Sequence, residues 1–420
     1  MKIINPTRHL LAMLCVQAML IPAEADAKSN YDPGKPFGFC TRTSRTDSSA
    51  ACAYEVTGGG TLAYPIPSTV KSVITLKSNG GDMKKAIGNA LKKYSVVVLD
   101  GSAGDFIVSS KIGVSGLTNR TLIGINGATV RTQWRVSDEI RNALDKAGVP
   151  HMRTSGGTGG RLTNGAMVKE QAEYNTRQTI INMTGDTEET YRDAGVMSMN
   201  RCSDIVIRNI RFYGPGSIDV GGSDLLSIHG CKNVWVDHCE FYDGEDGNFD
   251  ITNSSDFVTV SWCTFKYNAN SYMHQNTNLV GYSDKEPVGY LNVTFAFNHW
   301  GEGCRARMPM GRIGKIHMLN NYYTCIGNVT ACINPRKNSE FLIEGNSFAS
   351  GITHAFSEDG AVGYVWTPTN RVISAKVPEP MSMGSVTVPY TYTEMNVDLV
   401  PEEVGKYAGA TLVTDDDWKF

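Results

Sequence analysis

From residue 205 onward the chain repeats one eight-residue pattern six times. Each copy has apolar residues at its first and third positions and an aromatic residue at its eighth. The six copies are Ile205–Phe212, Val234–Phe241, Val258–Phe265, Val293–Trp300, Ile316–Tyr323 and Phe341–Phe348. Their closing aromatic residues lie 29, 24, 35, 23 and 25 residues apart. Alternating apolar residues bury one face of a strand, and self-similarity at this interval is typical of a solenoid. The repeat therefore predicts an all-β, single-stranded, right-handed parallel β-helix.

The sixth position of the repeat predicts a column of side chains inside the coils. It holds Asn298, Asn321 and Asn346 in the last three copies, and Cys239 and Cys263 in two earlier ones. Equivalent side chains of stacked coils lie about 4.8 Å apart. We therefore expect the asparagines to form an amide ladder in which each satisfies its neighbour, and the two cysteines to be small buried apolar side chains.

The segments outside the repeat predict a helical cap and a long side insertion. Apolar residues at helical spacing in 83–93 predict a helix that closes the N-terminal end of the solenoid. Residues 95–99 and 122–125 are expected to be early strands. Residues 131–200 break the rhythm and are interpreted as an insertion between coils, with a helix at 138–147. Helix is expected to be confined to the cap and this insertion.

The first 27 residues have the parts of a secretory signal peptide. A basic start is followed by the apolar run 10–21, which is too short to span a bilayer, and then by small-residue cleavage sites. Cys15 within the run leaves a lipoprotein open as an alternative. We expect residues 28–420 to be one secreted or periplasmic domain, with the tail from about residue 352 packed along the outside of the solenoid.

Composition limits the choice of partner. A formal net charge of −3 gives no reason to expect nucleic acid or a membrane surface as partner, and we expect a monomer. Nine of the ten cysteines follow residue 27, so an odd number remains after cleavage. Cys40 with Cys52, and Cys325 with Cys332, each close a short loop and are the disulfide pairs that spacing favours.

Three aspartates lie in two neighbouring coils and suit a hard cation. Asp224 precedes the coil at Val234, and Asp246 and Asp250 flank a turn before the next coil. Coil stacking can bring the three carboxylates to one side, and Ca²⁺ takes oxygen ligands in irregular geometry. Asp237, in contrast, lies inside a strand, which favours buried hydrogen bonds over catalysis.

Two arginines follow the coil that ends at Trp300. Arg307 and Arg312 lie five residues apart with Pro309 between them. A guanidinium offers planar, bidentate donors that match a carboxylate. Acidic groups that hold a cation, next to paired arginines, indicate a polyanionic substrate that carries carboxylates.

Five ordered motifs resemble those of the pectate lyases of polysaccharide lyase family 1. They run in the family's order over most of the chain and are Asn233–Phe241, Asp246–Asp250, Leu279–Asp284, Phe297–Glu302 and Arg307–Arg312. The resemblance implies β-elimination on polygalacturonate in pectin, which yields 4,5-unsaturated oligogalacturonates.

The resemblance also implies residue roles. Asp224, Asp246 and Asp250 are the implied ligands of Ca²⁺. Arg307 is the implied general base, and Arg312 is the implied partner of a substrate carboxylate. In the same loop, Pro309 is interpreted as the residue that shapes the backbone.

One departure from the family pattern affects the expected substrate. Family members usually carry a substrate-binding lysine where this chain has Asn276, and Lys266 and His274 are possible substitutes. Two alternatives stay open: a calcium-independent pectin lyase acting on methylated pectin, and a non-catalytic β-helix that binds glycans. A galacturonase would need paired acids for hydrolysis and would leave the arginine loop without a role.

Overall fold

The computed structural model describes residues 35–146, 178–185, 194–217, 223–268, 271, 274–326 and 329–418. The expected signal peptide with Cys15, and part of the 131–200 segment, lie outside these residues. Within the described part of the chain, no helix has the length and apolar character needed to cross a bilayer.

The described residues fold into a parallel β-solenoid with three sheets, as the repeat predicts. The long sheet contains, in hydrogen-bonding order, Val73–Lys77, Val96–Asp100, Thr118–Ile125, Ser203–Arg208, Lys232–Asp237, Asp256–Ser261, Asn292–Ala296, Lys315–Leu319, Glu340–Glu344, Gly363–Trp366 and Ser382–Met383. The site sheet contains Ile112–Ser115, Met197–Asn200, Leu226–His229, Phe249–Thr252, Leu279–Val280, Met310–Arg312 and Asn334–Arg336. The third sheet contains Phe106–Val108, Thr129–Thr132, Arg211–Tyr213, Glu240–Tyr242, Thr264–Lys266, His299–Trp300, Tyr322–Tyr323, Ser347–Phe348 and Arg371–Val372.

Helices are short and lie outside the coils. The α-helices are Lys84–Lys93, Asp138–Lys146 and Val400–Tyr407, and residues 178–184 are also helical. The 3₁₀ turns are Gly38–Thr41, Ala50–Cys52, Gly101–Ala103 and Asp415–Trp418.

The helix Lys84–Lys93 covers the N-terminal end of the solenoid, as expected. Its Ile87 and Leu91 are four residues apart, so they share one face of the helix, and both are buried in the core. A Cβ at Gly88 would lie 3.5 Å from Ile112 in the outermost strand of the site sheet. The helix therefore covers the edge strand Ile112–Ser115, to which another strand could otherwise add.

Stacked aromatic rings fill the core because the eighth residue of each repeat recurs in register. Neighbouring ring centroids in this column lie 4.5–5.6 Å apart. The rings belong to Phe212, Phe241, Phe265, Trp300, Tyr323 and Phe348, and Trp366 stacks on Phe348 from another position of the next coil. Aromatic pairs add roughly 0.5–1.5 kcal/mol beyond the area they bury, so the column stabilises successive coils against one another.

The asparagine ladder is confirmed. Asn298 Nδ2 donates to Asn321 Oδ1 over 3.0 Å, and Asn321 Nδ2 donates to Asn346 Oδ1 over 2.9 Å. Asn346 continues the ladder to Asn370 Oδ1 at 2.9 Å, one coil beyond the sequence repeat. Each amide also donates to a backbone carbonyl, so these buried polar groups are satisfied.

Three expectations about the flanks need correction. Met197–Asn200 is a strand of the site sheet, so the insertion ends earlier than residue 200. Gly363–Trp366 and Arg371–Val372 add a further coil beyond residue 352, since they pair in parallel with Glu340–Glu344 and Ser347–Phe348. Val400–Tyr407 is a helix outside the regions where helix was expected.

The tail packs along the outside, as expected, but only after that further coil. Leu412 N donates to Asn209 Oδ1 over 3.0 Å, and Met395 N donates to Asn320 Oδ1 over 2.8 Å. Both asparagines are buried, so the tail satisfies amides on the outer side of the coils.

All nine cysteines in the described residues carry free thiols. The two disulfides that spacing favoured are therefore not formed in this structure. Cys325 Sγ and Cys332 Sγ lie 4.0 Å apart, whereas Cys52 Sγ contacts Asp47 and Cys40 Sγ contacts the carbonyl of Phe37. Cys239 and Cys263 are fully buried and behave as small core residues, as expected.

Asp237 is the centre of a buried network rather than an exposed catalytic group. Its Oδ2 accepts from Arg208 Nε at 2.8 Å and contacts His238 Nδ1 at 2.7 Å, and its Oδ1 accepts from Ser261 Oγ at 2.7 Å. Burial raises the pKa of Asp237, but His238 and Arg208 together lower it below its ordinary value. The network is structural, as the position of Asp237 inside a strand indicated.

Replacing Asp237 with alanine should destabilise the fold by about 3–5 kcal/mol, because the Arg208 charge would stay buried without its partner. The free energy of unfolding in urea measures this loss. Asp105→Ala is the control, since Asp105 pairs with Arg131 at the surface and such pairs contribute about 1 kcal/mol or less. Equal losses for the two variants would contradict the prediction.

Candidate active site

The candidate site lies on the outer face of the site sheet. Phe249 and Ile251 belong to the core, so the alternation along this strand turns Asp250 to the opposite face. By the same alternation Met310 and Arg312 lie on that face two strands further on, because Leu279 pairs with Met310. Loops that enter the sheet bring in the remaining residues.

Asp224 and Asp250 face the same small space. A Cβ at Gly247 would lie 2.7 Å from Asp224 Oδ1 and 3.4 Å from Asp250 Oδ1, so only glycine leaves this space open. Asp250 Oδ1 accepts from Leu279 N over 3.0 Å. Asp224 Oδ2 accepts from Ser227 Oγ over 3.0 Å, whereas its buried Oδ1 has no hydrogen-bond partner among the described residues.

The carboxylates of Asp224 and Asp250 repel each other when both are charged. Burial and the charge of Asp246 raise the pKa of Asp224 to about 7. Burial and the charge of Asp224 raise the pKa of Asp250 well above its ordinary value, although Arg307 acts in the opposite direction. Paired, desolvated carboxylates with an unused oxygen are a donor set that a hard divalent cation stabilises.

Asp246 faces a histidine. Its Oδ1 lies 2.9 Å from His274 Nε2, and its side chain is 45% exposed. Burial raises the pKa of Asp246, but the hydrogen bond and charge of His274, together with Arg307, lower it below the ordinary value. Asp246 is therefore the acidic group of the three that stays charged most readily.

Asn276 is buried and its amide points to the same histidine. Its Nδ2 lies 2.7 Å from His274 Nε2, and the residue is 6% exposed. His274 thus joins Asn276 to Asp246, whereas Lys266 lies on the third sheet and packs against Gly301. Of the two possible substitutes for a lysine, His274 is the one beside the acidic groups.

Arg307 lies in a loop with a left-handed backbone. Its φ is 58°, and its carbonyl accepts from Asn278 N over 2.7 Å and from Thr277 Oγ1. Such a conformation costs about 1–3 kcal/mol in a residue other than glycine and persists where neighbours fix it. The buried Arg307 Nε has no hydrogen-bond partner in the described part of the chain, and its charge lowers the pKa values of all three aspartates.

Pro309 fixes the course of this loop towards the site sheet. The Met308–Pro309 peptide bond is cis, and the Pro309 carbonyl accepts from Asn334 N over 3.0 Å. Met308 N donates to the Cys332 carbonyl over 2.8 Å. Backbone contacts to the next coil therefore hold both sides of the turn between Arg307 and Arg312.

Arg312 is held by the long loop that follows the strand Leu279–Val280. Its Nη1 donates to the Gly281 carbonyl over 3.2 Å, and its Nε lies 3.2 Å from Asp284 Oδ1. Burial and the adjacent Arg336 lower the pKa of Arg312, whereas Asp284 acts in the opposite direction. Its side chain is 17% exposed, so part of the guanidinium reaches the surface of the sheet.

The predicted residues are brought together in part. Asp224 and Asp250 share one space, Asp246 is turned towards His274, and Arg307 is close enough to influence all three. Across the described ranges, no group of three or more His, Cys, Asp or Glu side chains is arranged to hold a metal ion. Protein groups thus supply a partial donor set, with Asp224 and Asp250 at its centre.

Sequence reasoning missed Ser227 and Asp284 as residues of the site. Ser227 lies one coil from Asp250 in the same register, and Asp284 belongs to a long loop with no repeat pattern. Ser227 could have been predicted, because the strands of the site sheet recur at the same interval as the repeat and place Ser227 next to Asp250. Asp284 ends the motif Leu279–Asp284, but the motif by itself assigned it no role.

A model of the family described as pectate lyase matches residues 151–412, which is more than half of the chain. The chain belongs to the pectate lyase family. The probable pectate lyase A of Aspergillus fumigatus is 33% identical over 223 residues, which cover 50% of this chain and 64% of that protein. The pectate trisaccharide-lyase of Bacillus licheniformis is 32% identical over 222 residues, covering 50% and 60% respectively. The chain therefore spans less than two thirds of these relatives.

A further relative supports the family, and two solved structures support the fold alone. Pectate lyase A of Aspergillus niger is 30% identical over 256 residues, which cover 58% of the present chain and 72% of the Aspergillus protein. A thermostable pectate lyase superposes with a TM-score of 0.52 at 16% identity, over 90% of this chain and 99% of that one. A Bacillus pectate lyase solved with trigalacturonate has a TM-score of 0.52 at 17% identity, over 89% and 98%. At such low identity these two structures support the β-solenoid fold.

Proposed function

We propose that this protein is a secreted pectate lyase that cleaves α-1,4-linked polygalacturonate by β-elimination. The observation that carries the proposal is the pair Asp224 and Asp250 on the outer face of the site sheet, with Arg307 beside them and Arg312 on the same face. Carboxylates that would suit a hard cation and guanidinium groups that would suit a carboxylate lie on one face, and this combination supports a chain of uronates as substrate. Membership of the pectate lyase family supports the same activity.

The proposed reaction breaks the C4–O bond without consuming water. A base removes the C5 proton, the electron pair forms the C4–C5 double bond, and the C4 oxygen leaves with the rest of the chain. We assign the base to Arg307 and the grip on a substrate carboxylate to Arg312. The backbone N–H of Asn278 donates to the Arg307 carbonyl and supports the left-handed backbone from which this side chain extends.

Ca²⁺ is the proposed cofactor, with Asp224, Asp246 and Asp250 as the protein ligands. The unpartnered Asp224 Oδ1 and the raised pKa values of Asp224 and Asp250 fit a cation in this place. When bound, Ca²⁺ would withdraw charge from a uronate carboxylate and make the C5 proton more acidic. Substrate oxygens would complete the partial donor set of the protein.

Arg307 needs a change of surroundings to act as a base. A guanidinium is effectively always protonated in water. Cations beside it disfavour the protonated form, and bound Ca²⁺ together with Arg312 is the proposed source of that effect.

The test is an assay on polygalacturonate and on highly methylated pectin, with and without a calcium chelator. We expect ultraviolet absorbance from the unsaturated uronate product on polygalacturonate, loss of that signal in chelator and its return with added Ca²⁺. Full activity on methylated pectin in chelator would favour a pectin lyase instead. New reducing ends without the absorbance would indicate a hydrolase, and binding without cleavage would indicate a glycan-binding β-helix.

Asn276→Lys should shift the preference towards unmethylated chains. The substitution adds a cation next to Asp246 and His274, where the family usually has lysine, and a charged contact is worth about 1.5–3 kcal/mol. The ratio of kcat/KM on polygalacturonate to that on methylated pectin should rise roughly tenfold. Asn79→Lys adds the same charge at an exposed position and is the control. An unchanged ratio would mean that position 276 does not sense substrate charge.

A further inference from the structure

The loop from Gly281 to Leu291 follows Leu279–Val280, an inner strand of the site sheet, and is anchored to the preceding coil. Glu286 in the loop is buried, and its carboxylate accepts from Asn253 N at 2.7 Å and from Ser254 N at 2.9 Å. At its C-terminal end, Leu291 N donates to the Ser255 carbonyl over 3.0 Å. The loop is therefore fixed to the preceding coil at two points.

This anchored loop makes two contacts with Arg312. The Gly281 carbonyl accepts a hydrogen bond from Arg312 Nη1 at 3.2 Å, and Asp284 Oδ1 lies 3.2 Å from Arg312 Nε. No described residue accepts from Nη2, so that edge of the guanidinium is available to a ligand. Two contacts on two different nitrogens fix the plane of the guanidinium as well as its position.

Arg312 needs such support because its neighbours are cationic. Arg336 is its register partner in the next strand, and register partners lie about 4.8 Å apart. Lys337 Nζ lies 3.8 Å from Asp284 Oδ2. Asp284 thus lies between the Arg312 and Lys337 charges and offsets their repulsion, while its own side chain is 53% exposed.

We propose that Asp284 is a positioning residue, which holds Arg312 so that its Nη2 edge meets a substrate carboxylate. The inference rests on the proposed function. Asp284 acts on binding through Arg312 and takes no part in proton transfer at Arg307. Its loss should therefore affect KM far more than kcat.

The chain offers a matched control one coil further on. Arg336 pairs with Asp359, which is 59% exposed, so this pair has the same chemistry and a similar exposure. Asp359 contacts Arg336 and not Arg312, and its charge acts on Arg312 less than that of Asp284 does. Asp359→Ala removes one carboxylate beside the neighbouring arginine and leaves the Arg312 contacts in place.

The experiment compares Asp284→Ala, Asp284→Asn, Asp284→Glu and Asp359→Ala in the full chain with Ca²⁺ present. We expect KM for polygalacturonate to rise about fivefold in Asp284→Ala, since the ion pair that orients Arg312 is lost and an exposed pair of this kind contributes up to about 1 kcal/mol, with kcat changed by less than about twofold. The KM of Asp284→Asn, which keeps an acceptor, should lie between those of the wild-type protein and Asp284→Ala. Asp284→Glu should have a lower KM than Asp284→Ala, because it restores the carboxylate. Asp359→Ala should leave KM nearly unchanged. The urea midpoint should stay at the wild-type value in every variant.

Three results would overturn the proposal. KM could stay unchanged or fall in Asp284→Ala, which would make Asp284 inert or a competitor of the substrate. Asp359→Ala could raise KM equally, which would indicate a general effect of charge. Crystal structures of the wild-type protein and Asp284→Ala give a third readout, because an unmoved Arg312 guanidinium would exclude positioning. The structural comparison tests the role of Asp284 even if the wild-type protein shows no lyase activity. Absence of lyase activity would contradict the proposed function and not the positioning of Arg312.

Discussion

Arg307→Lys should lower kcat by about 10²- to 10⁴-fold, the range that general acid–base groups contribute. Lysine keeps the positive charge beside Asp224, Asp246 and Asp250, so binding of a uronate chain should persist and KM should change little. Its single ammonium cannot reproduce the planar, forked arrangement of nitrogens that a guanidinium offers. The measurement is steady-state kinetics on polygalacturonate, together with direct binding of oligogalacturonate.

Two variants control for this result. Arg131→Lys makes the same substitution at a surface pair with Asp105 and should leave kcat unchanged. Arg312→Ala should raise KM at least as much as it lowers kcat, if it chiefly holds a carboxylate. The assignment fails if Arg307→Ala retains nearly the wild-type kcat while Arg312→Ala abolishes turnover. The two arginines would then have exchanged roles, or another residue would be the base.

Asp250→Asn should weaken Ca²⁺ binding by at least about 10- to 100-fold, the range seen when even an outer partner of a metal ligand is lost. The structural reason is that Asp250 and Asp224 face one space around Gly247. The same substitution removes a buried charge that burial and Asp224 make unfavourable, so the protein without calcium should become more stable. The two effects have opposite signs and can be separated.

Thermal unfolding with and without Ca²⁺ measures both effects. Saturating Ca²⁺ should raise the Tm of the wild-type protein, since a ligand at 100 times its Kd stabilises by about 2.7 kcal/mol. In Asp250→Asn the Tm without calcium should rise and the calcium-induced increase should shrink. Asp105→Asn, at a surface pair away from the site sheet, should change neither value. A full calcium response in Asp250→Asn would exclude Asp250 as a ligand.

The repeat by itself determined the solenoid. Alternating apolar residues and a recurring aromatic position specify a parallel coil, because each coil can bury its face only against the next. The same repeat predicted the ladder of Asn298, Asn321 and Asn346, since equivalent positions of stacked coils must meet. It did not reach Gly363–Trp366, where the pattern fades although the parallel pairing and the stacking of rings continue.

The sequence also predicted the candidate site residues, because the five motifs that contain or flank them resemble those of the pectate lyases. Spacing along the chain could not decide which carboxylates face one another. Asp246 and Asp250 are closer in sequence, yet Asp224 and Asp250 share the space at Gly247, while Asp246 turns to His274. The reason is that stacking places residues of adjacent coils nearer than residues separated by a turn. Only the tertiary structure decided this pairing, and only it showed that Asp284, at the end of the motif Leu279–Asp284, contacts the guanidinium of Arg312.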